Sequence, residues 1–152
     1  FHNDPPKFIV MEARAADCLY QGALAGDGNP RIVEGDLKTI MARLACGEPS
    51  ILSWDILRNH VSAFVSCPDW VSARGMRMLG VPVKGDPTVI SGESGAVGMG
   101  LIAALMETDE YKDLREYLGL DRFSQVLLFS TEGNTDPMKF RKVLWDGEYP
   151  TV

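Results

Sequence analysis

The sequence predicts an α/β fold in which parallel strands are flanked by helices, and two observations support this prediction. Apolar runs of strand length occur at residues 8–11, 61–65 and 126–130. Segments with a helical spacing of apolar residues separate these runs, and strands separated by helices usually pair in parallel. The chain of 152 residues has no internal repeat and no convincing linker, so it fits one domain or part of one.

The first half of the chain is expected to hold two of the strands and three helices. A helix over about 15–25 follows the first strand and ends in the turn-forming residues 26–30. Asp36 is expected to cap a second helix that extends to about Leu44, because apolar side chains recur there at spacings of three and four residues. A glycine and a proline end this helix, and a third is expected over about 53–59.

The second half is expected to be mainly helical, with one further strand. The helices are expected over about residues 69–80, 91–106 and 110–118. The third strand, residues 126–130, leads to a final helix that begins at Asp136 and Pro137. Proline is favourable at the first helical position, because its missing N–H would have no intrahelical partner there.

Composition and charge make two classes of partner improbable. The net charge is -6 and no run of lysines and arginines occurs, whereas nucleic-acid-binding domains usually carry basic clusters. The longest apolar stretch, residues 96–106, is too short for a membrane span, which needs about 20 residues. We therefore expect neither a nucleic acid nor a membrane as partner.

The cysteines and histidines indicate a reducing compartment and no metal site. Cys18, Cys46 and Cys67 are odd in number and well separated, as is typical of cytoplasmic proteins. His2 and His60 are the only histidines and no CxxC pair exists, so a zinc site is not expected.

The amino terminus suggests that the chain is part of a longer polypeptide. Residues 1–6 lack an initiator methionine and lead almost at once into the first predicted strand.

Hydroxyl side chains follow the third predicted strand, where an α/β fold commonly binds its ligand. Ser130 and Thr131 stand at the carboxyl end of that strand, and ligands collect at this edge of open α/β sheets. They are either ordinary turn hydroxyls or hydrogen-bonding partners of a ligand.

The start of the predicted helix 91–106 is the second candidate segment. Gly92, Gly95, Gly98 and Gly100 lie within nine residues, although glycine inside a helix costs about 1 kcal/mol relative to alanine. They serve either close packing or contact with a ligand at the helix start. The spacing is not that of GxGxxG, so a nucleotide is not indicated.

Two further features have a structural and a functional interpretation. Glu93 either caps the helix that it begins, where the helix dipole favours a carboxylate, or faces a cleft. Cys46, Gly47 and Glu48 either end a helix or line a pocket.

Five segments together resemble the C-terminal portion of the diaminopropionate ammonia-lyases, which are pyridoxal-phosphate enzymes of the tryptophan synthase β, or fold-type II, group. They are residues 16–20 (ADCLY), 39–49 (TIMARLACGEP), 54–59 (WDILRN), 90–98 (ISGESGAVG) and 130–136 (STEGNTD). ESGAVG alone is similar to threonine and serine dehydratases as well, whereas the five segments together are specific. On this resemblance, residues 1–152 form the C-terminal part of the large cofactor-binding domain.

The resemblance implies an activity, a cofactor and a set of site residues. The reaction is α,β-elimination from 2,3-diaminopropionate, which gives pyruvate and ammonia in amino-acid catabolism, and the family suggests a homodimer. Ser130 or Thr131 is expected to meet the ring nitrogen of pyridoxal 5'-phosphate. Gly92 and Glu93 are expected near the ring, and the loop that contains Cys46, Gly47 and Glu48 along the pocket wall.

The catalytic residues are not identified in this chain. The family's Schiff-base lysine and glycine-rich phosphate loop lie upstream of the segment that the chain resembles. None of the lysines stands in the family's lysine context; they are Lys7, Lys38, Lys84, Lys112, Lys139 and Lys142. We therefore expect residues 1–152 alone to be inactive. Two alternatives stay open, a serine or threonine dehydratase-like enzyme and a non-catalytic α/β ligand-binding or interaction module.

Overall fold

The computed structural model describes residues 5–152 and divides them into two compact units. Unit 1 contains the described residues up to Thr39 together with Arg43–Ser66, and unit 2 contains Ile40–Ala42 and Cys67–Val152. His2 and most of the amino-terminal segment discussed above lie outside the described residues. In the described part of the chain, no helix is both long and apolar enough to cross a membrane.

Unit 1 is built around a small parallel sheet of two neighbouring strands. The strands and helices of this part of the chain are β1 (Ile9–Ala13), α1 (Cys18–Ala25), α2 (Ile51–His60) and β2 (Ala63–Cys67), with short 3-10 turns at Arg14–Ala16 and Ala42–Leu44. The two strands predicted at residues 8–11 and 61–65 are thus confirmed, with ends shifted by one or two residues. The helices predicted over 15–25 and 53–59 are confirmed as well.

The packing of α1 and α2 depends on one tryptophan. Trp54 of α2 is buried, and its indole N–H donates to the carbonyl of Gly28 at 3.0 Å. A Cβ atom on Gly22 of α1 would lie 2.8 Å from the Trp54 ring, so glycine leaves room for the indole. Ser50 caps α2 by accepting from the Ser53 N–H at 3.4 Å, which fixes where this helix begins.

The helix predicted from Asp36 to Leu44 is wrong. Only the 3-10 turn Ala42–Leu44 is helical there. The Asp36 carboxylate accepts from the N–H of Lys38, two residues on, which is the geometry of a local turn. Leu37 has φ of 48°, outside the right-handed helical region, so the apolar spacing does not produce a helix.

Unit 2 is helical and is centred on two helices in backbone contact. Its helices are α3 (Asp69–Gly80), α4 (Glu93–Glu107), α5 (Lys112–Leu118) and α6 (Pro137–Leu144), with a 3-10 turn at Asp109–Tyr111 before α5. A Cβ atom on Gly75 of α3 would lie 2.0 Å from the Ala96 carbonyl oxygen, and one on Gly100 of α4 would lie 1.8 Å from that of Val71. Glycine is therefore required where α3 and α4 touch. All four predicted helices of this half are confirmed.

Both ends of α6 are held by side chains. Asp136 caps the start by accepting from the Lys139 N–H at 3.0 Å, with Pro137 at the first helical position as predicted. Near the other end, the Arg77 guanidinium donates to three carbonyl oxygens, at 3.0 to 3.3 Å. One belongs to Val143 in the last turn of α6, and the others belong to Glu148 and Tyr149 beyond it. α6 is thereby anchored to α3.

The third strand, predicted over residues 126–130, is wrong in this structure. Among the described residues only β1 and β2 form a sheet, and no described residue pairs with this segment as a strand. Leu127 and Phe129 are 78% and 77% exposed. An apolar run becomes a strand only where a neighbouring strand accepts its backbone hydrogen bonds, and periodicity alone does not supply that neighbour.

Candidate functional site

The two candidate segments of unit 2 lie against each other. The Ser130 hydroxyl donates to Ser91 Oγ at 2.8 Å, and the Gly92 N–H donates to the carbonyl of Glu132 at 3.0 Å. The residues after the predicted third strand therefore reach the first turn of α4, as the sequence analysis requires. Ser130 and Thr131 are exposed, while Ser91 is fully buried beneath them.

The glycines at the start of α4 leave room for this contact. A Cβ atom on Gly92 would lie 2.5 Å from the carbonyl oxygen of Gly133. On Gly95 it would lie 2.7 Å from Ser91 Oγ and 3.0 Å from the Thr131 nitrogen. Close packing against residues 130–133 thus explains both glycines, and contact of Gly92 with a ligand stays a prediction.

Glu132 is the residue of this cluster that the sequence analysis missed. Its carboxylate accepts from the Ser94 N–H at 2.7 Å, and the Thr135 hydroxyl lies 3.4 Å from its other oxygen. Ser94 is 38 residues away in the sequence, so no local pattern marks Glu132 as its partner. Its place directly after the hydroxyls of Ser130 and Thr131 was the one available signal.

Glu93 combines deep burial with incomplete hydrogen bonding. It is 6% exposed, and among the described residues its Oε1 has no hydrogen-bond partner. Burial raises the pKa of the Glu93 carboxyl above its usual range, and the nearby Glu132 carboxylate adds to this effect. The Ser72 hydroxyl donates to the backbone carbonyl of Glu93 and so ties the start of α4 to α3. A buried carboxyl oxygen without a partner needs an explanation beyond helix capping, and a role of Glu93 at the cofactor stays a prediction.

The Cys46, Gly47 and Glu48 loop belongs to unit 1. Cys46 and Glu48 are exposed, and the Cys46 thiol donates to the Glu48 carbonyl at 3.2 Å. Gly47 is buried, and a Cβ atom there would lie 2.2 Å from the carbonyl oxygen of Val33, so the close approach of the two backbones requires glycine. The loop follows the short 3-10 turn Ala42–Leu44 and does not end a longer helix. Its place along a pocket wall stays a prediction.

Unit 1 also contains a buried carboxyl that the sequence analysis did not consider. Glu12 of β1 is 8% exposed and accepts from the N–H groups of Leu19 and Tyr20 at 3.1 and 2.7 Å. The thiol of Cys18 lies 3.6 Å from the same carboxylate. Burial, with the Glu12 charge beside it, raises the pKa of Cys18 to about 11. A glutamate inside an otherwise apolar strand was the signal for this cluster.

A groove of about 480 Å³ lies in unit 1, between α1 and the segment after it. It is lined by Asp17, Gln21, Leu24, Ala25, Arg31, Ile32 and Val33. The Asp17 carboxylate is hydrogen-bonded to the Ser66 hydroxyl at 2.6 Å and to the Gln21 amide at 3.3 Å. Within the part of the chain that the structure describes, no cluster of three or more histidine, cysteine or acidic side chains is placed to hold a metal ion.

Solved structures first identify the fold class. The chain superimposes with a TM-score of 0.81 on an Escherichia coli diaminopropionate ammonia lyase in complex with an aminoacrylate-PLP azomethine reaction intermediate. The pair is 47% identical, and the match covers 93% of this chain and 35% of that one. Maize serine racemase matches more distantly, with a TM-score of 0.55 and 26% identity over 73% of this chain and 31% of that one. The chain therefore has the fold of part of a fold-type II pyridoxal-phosphate enzyme.

Sequence relatives then identify the particular enzyme that the chain is similar to. It is 50% identical over 143 residues to the diaminopropionate ammonia-lyase of Salmonella typhimurium, and 49% identical to that of Escherichia coli K12. Each match covers 93% of this chain, which spans about a third (35%) of the length of these relatives. No family model matches. The resemblance to a portion of diaminopropionate ammonia-lyase is thus confirmed.

Proposed function

We propose that this chain forms part of the cofactor site of a pyridoxal-phosphate lyase that converts 2,3-diaminopropionate to pyruvate and ammonia. The observation that carries the proposal is the contact between Ser130 and Ser91, two residues before α4, in a chain about half identical to diaminopropionate ammonia-lyases. That contact places exposed hydroxyls beside a helix start and a buried carboxyl.

The described residues are chemically suited to the cofactor. Ser130 and Thr131 offer neutral hydroxyls to a ring nitrogen, and the Oε1 of Glu93 has no hydrogen-bond partner in the described part of the chain. Gly92 is proposed to lie near the ring, at the helix start against which residues 130–133 pack. When bound, pyridoxal 5'-phosphate supplies the electron sink for loss of the α-proton and of the β-amino group.

The protein groups of this chain orient the cofactor and set charge around it. A hydroxyl partner does not protonate the ring nitrogen, which favours elimination over transamination. Because burial raises the pKa of Glu93, its carboxyl retains its proton to higher pH than an exposed glutamate. For unit 1 taken by itself, we propose that Cys46, Gly47 and Glu48 line a pocket wall.

Other residues of the enzyme would complete the site. We place the cofactor-binding lysine and the phosphate loop in a part of the polypeptide outside residues 1–152. We further propose a cytoplasmic homodimer acting on a small amino acid. Cys18, Cys46 and Cys67 form no disulfide among the described residues, which is compatible with a reducing compartment.

The proposal is tested with a polypeptide that contains residues 1–152 and the upstream sequence of its gene. Loaded with pyridoxal phosphate, it should show a visible absorption band that borohydride removes, and it should release pyruvate from 2,3-diaminopropionate. Residues 1–152 alone should release none. A protein without the band would contradict the enzyme proposal and favour the non-catalytic module.

Serine is the competing substrate that tests the alternative enzyme. An Escherichia coli diaminopropionate ammonia lyase has been solved in complex with D-serine, and this chain superimposes on it with a TM-score of 0.82 and 42% identity. That match covers 96% of this chain and 35% of that one. We expect a higher kcat/KM for diaminopropionate than for serine, and the reverse order would favour the dehydratase. Ser130→Ala and Thr131→Val, compared for the cofactor spectrum, would show which hydroxyl meets the ring.

A further inference from the structure

α4 begins without a cap from its own sequence neighbours. The first N–H groups of any helix have no intrahelical acceptor. The residue before α4 is Gly92, which has no side chain to cap with. The carboxylate of Glu132 takes this role from a distance, because it accepts from the Ser94 N–H at 2.7 Å. A negative charge at this end of a 15-residue helix is also favoured by the helix dipole.

The same residue joins the loop to the helix through its backbone. The Glu132 carbonyl accepts from the Gly92 N–H at 3.0 Å, and the Ser130 hydroxyl lies 3.4 Å from that carbonyl oxygen. Two residues before Glu132, Ser130 makes its 2.8 Å contact with Ser91. Glu132 is thus the one side chain of the loop that binds α4 by a charge-assisted hydrogen bond, and such bonds are about twice as strong as neutral ones.

We propose that Glu132 is a positioning residue that holds residues 130–133 against the first turn of α4 and thereby sets the place of the Ser130 hydroxyl. The effect of Glu132 on the cofactor rests on the proposed function. The contact of Glu132 with α4 rests on the hydrogen bonds alone. Glu132 acts through Ser130 and is not assigned contact with the substrate.

The test compares Glu132→Ala with Glu132→Gln in the full polypeptide that contains this chain. Amide hydrogen exchange is followed on peptides that span Ser94 and residues 128–134, and the dissociation constant and absorption spectrum of pyridoxal phosphate are measured on the same samples. Alanine should speed exchange at both places by about tenfold or more, the worth of one charge-assisted hydrogen bond. It should weaken cofactor binding by about tenfold and shift the absorption band. Glutamine retains a carbonyl acceptor without the charge, and should restore about half of the exchange protection and of the cofactor affinity, since charge-assisted bonds are about twice as strong as neutral ones.

Glu107→Ala is the matched control. It removes a carboxylate at the other end of α4, where Glu107 pairs with Arg74, and it should leave the cofactor spectrum and the exchange at residues 128–134 unchanged. Faster exchange in Glu132→Ala with unaltered cofactor binding would overturn the proposal, since Glu132 would then only cap a helix. Unaltered exchange would overturn it as well. Should the wild-type protein bind no pyridoxal phosphate, the proposed function fails, and exchange at residues 128–134 alone decides whether Glu132 holds the loop.

Discussion

The first turns of α1 and α4 are built alike, but their buried carboxyls differ in hydrogen bonding. Neither helix has a side-chain cap from the residue before it, and each receives a carboxylate from outside the helix. At α1, Glu12 accepts from two backbone N–H groups. At α4, Glu132 accepts from the Ser94 N–H, while the neighbouring Glu93 is buried with one oxygen unpaired among the described residues.

This difference separates a structural carboxyl from a candidate functional one. Burial raises the pKa of both Glu12 and Glu93, so the direction of the shift does not distinguish them. Hydrogen bonding does, because a buried polar atom without a partner needs an explanation such as a ligand, whereas a saturated one is explained by the fold. Whether each carboxylate oxygen has a hydrogen-bond partner is therefore more informative here than the direction of its pKa shift.

The largest expected loss of stability follows from removing the Glu12 carboxylate at the start of α1. Glu12→Ala leaves the N–H groups of Leu19 and Tyr20 buried or half-buried without their acceptor, and should cost about 3 kcal/mol of unfolding free energy. Glu93→Ala, the matched change at α4, should cost less than half as much. Urea denaturation of the purified variants measures both, and equal losses would show that the two carboxyls do not differ.

A smaller effect is expected where the loop meets α4. Gly92→Ala places a Cβ atom 2.5 Å from the carbonyl oxygen of Gly133, a contact that backbone must relieve, and should cost about 2 kcal/mol. Gly133→Ala is the control, because the nearest atom to its Cβ would be 3.9 Å away, at Ile90. The unfolding free energies of the two variants, together with their cofactor affinities, show whether the contact matters to the site. A Gly92→Ala protein as stable as Gly133→Ala would mean that the loop is free to move away.

The smallest effect is a change in pH dependence at Glu93. Because its pKa is raised from the ordinary 4.5 by folding, the folded state favours the protonated carboxyl. The associated stability is fully present below pH 4.5 and is lost as the pH rises through the folded pKa. Glu93→Gln should therefore show a shallower fall in unfolding free energy above pH 4.5 than wild type, as measured by denaturation at a series of pH values. Parallel curves would mean that Glu93 is solvated in the folded state.

Helices with local start signals could be predicted from sequence, and contacts between distant segments could not. Asp136 and Pro137 marked α6 correctly because capping acts within one turn. Asp36 carried the same signal, but its carboxylate bonds two residues on and Leu37 adopts positive φ, so no helix follows. Such predictions therefore fail at residues like Asp36, whose side chain can either cap a helix or form a local turn.

The candidate site was predicted in part for the same reason. Ser130 and Gly92 were predicted as site residues because hydroxyls and glycines are conspicuous at element ends, and the structure brings their two segments together. Glu132 was not found, because its role depends on Ser94, which lies 38 residues away. Glu12 stands directly after the predicted strand 8–11 and was not considered, although a carboxylate beside apolar residues has to find partners when it is buried.

The glycine contacts between α3 and α4 restrict how this part of the molecule can move. Gly75 and Gly100 face each other and bring the two backbones together where the helices cross. Sliding one helix along the other would drive carbonyl oxygens into the opposing chain, which close packing does not permit. The α3–α4 pair is therefore expected to act as one rigid support for residues 130–133, which pack against its start.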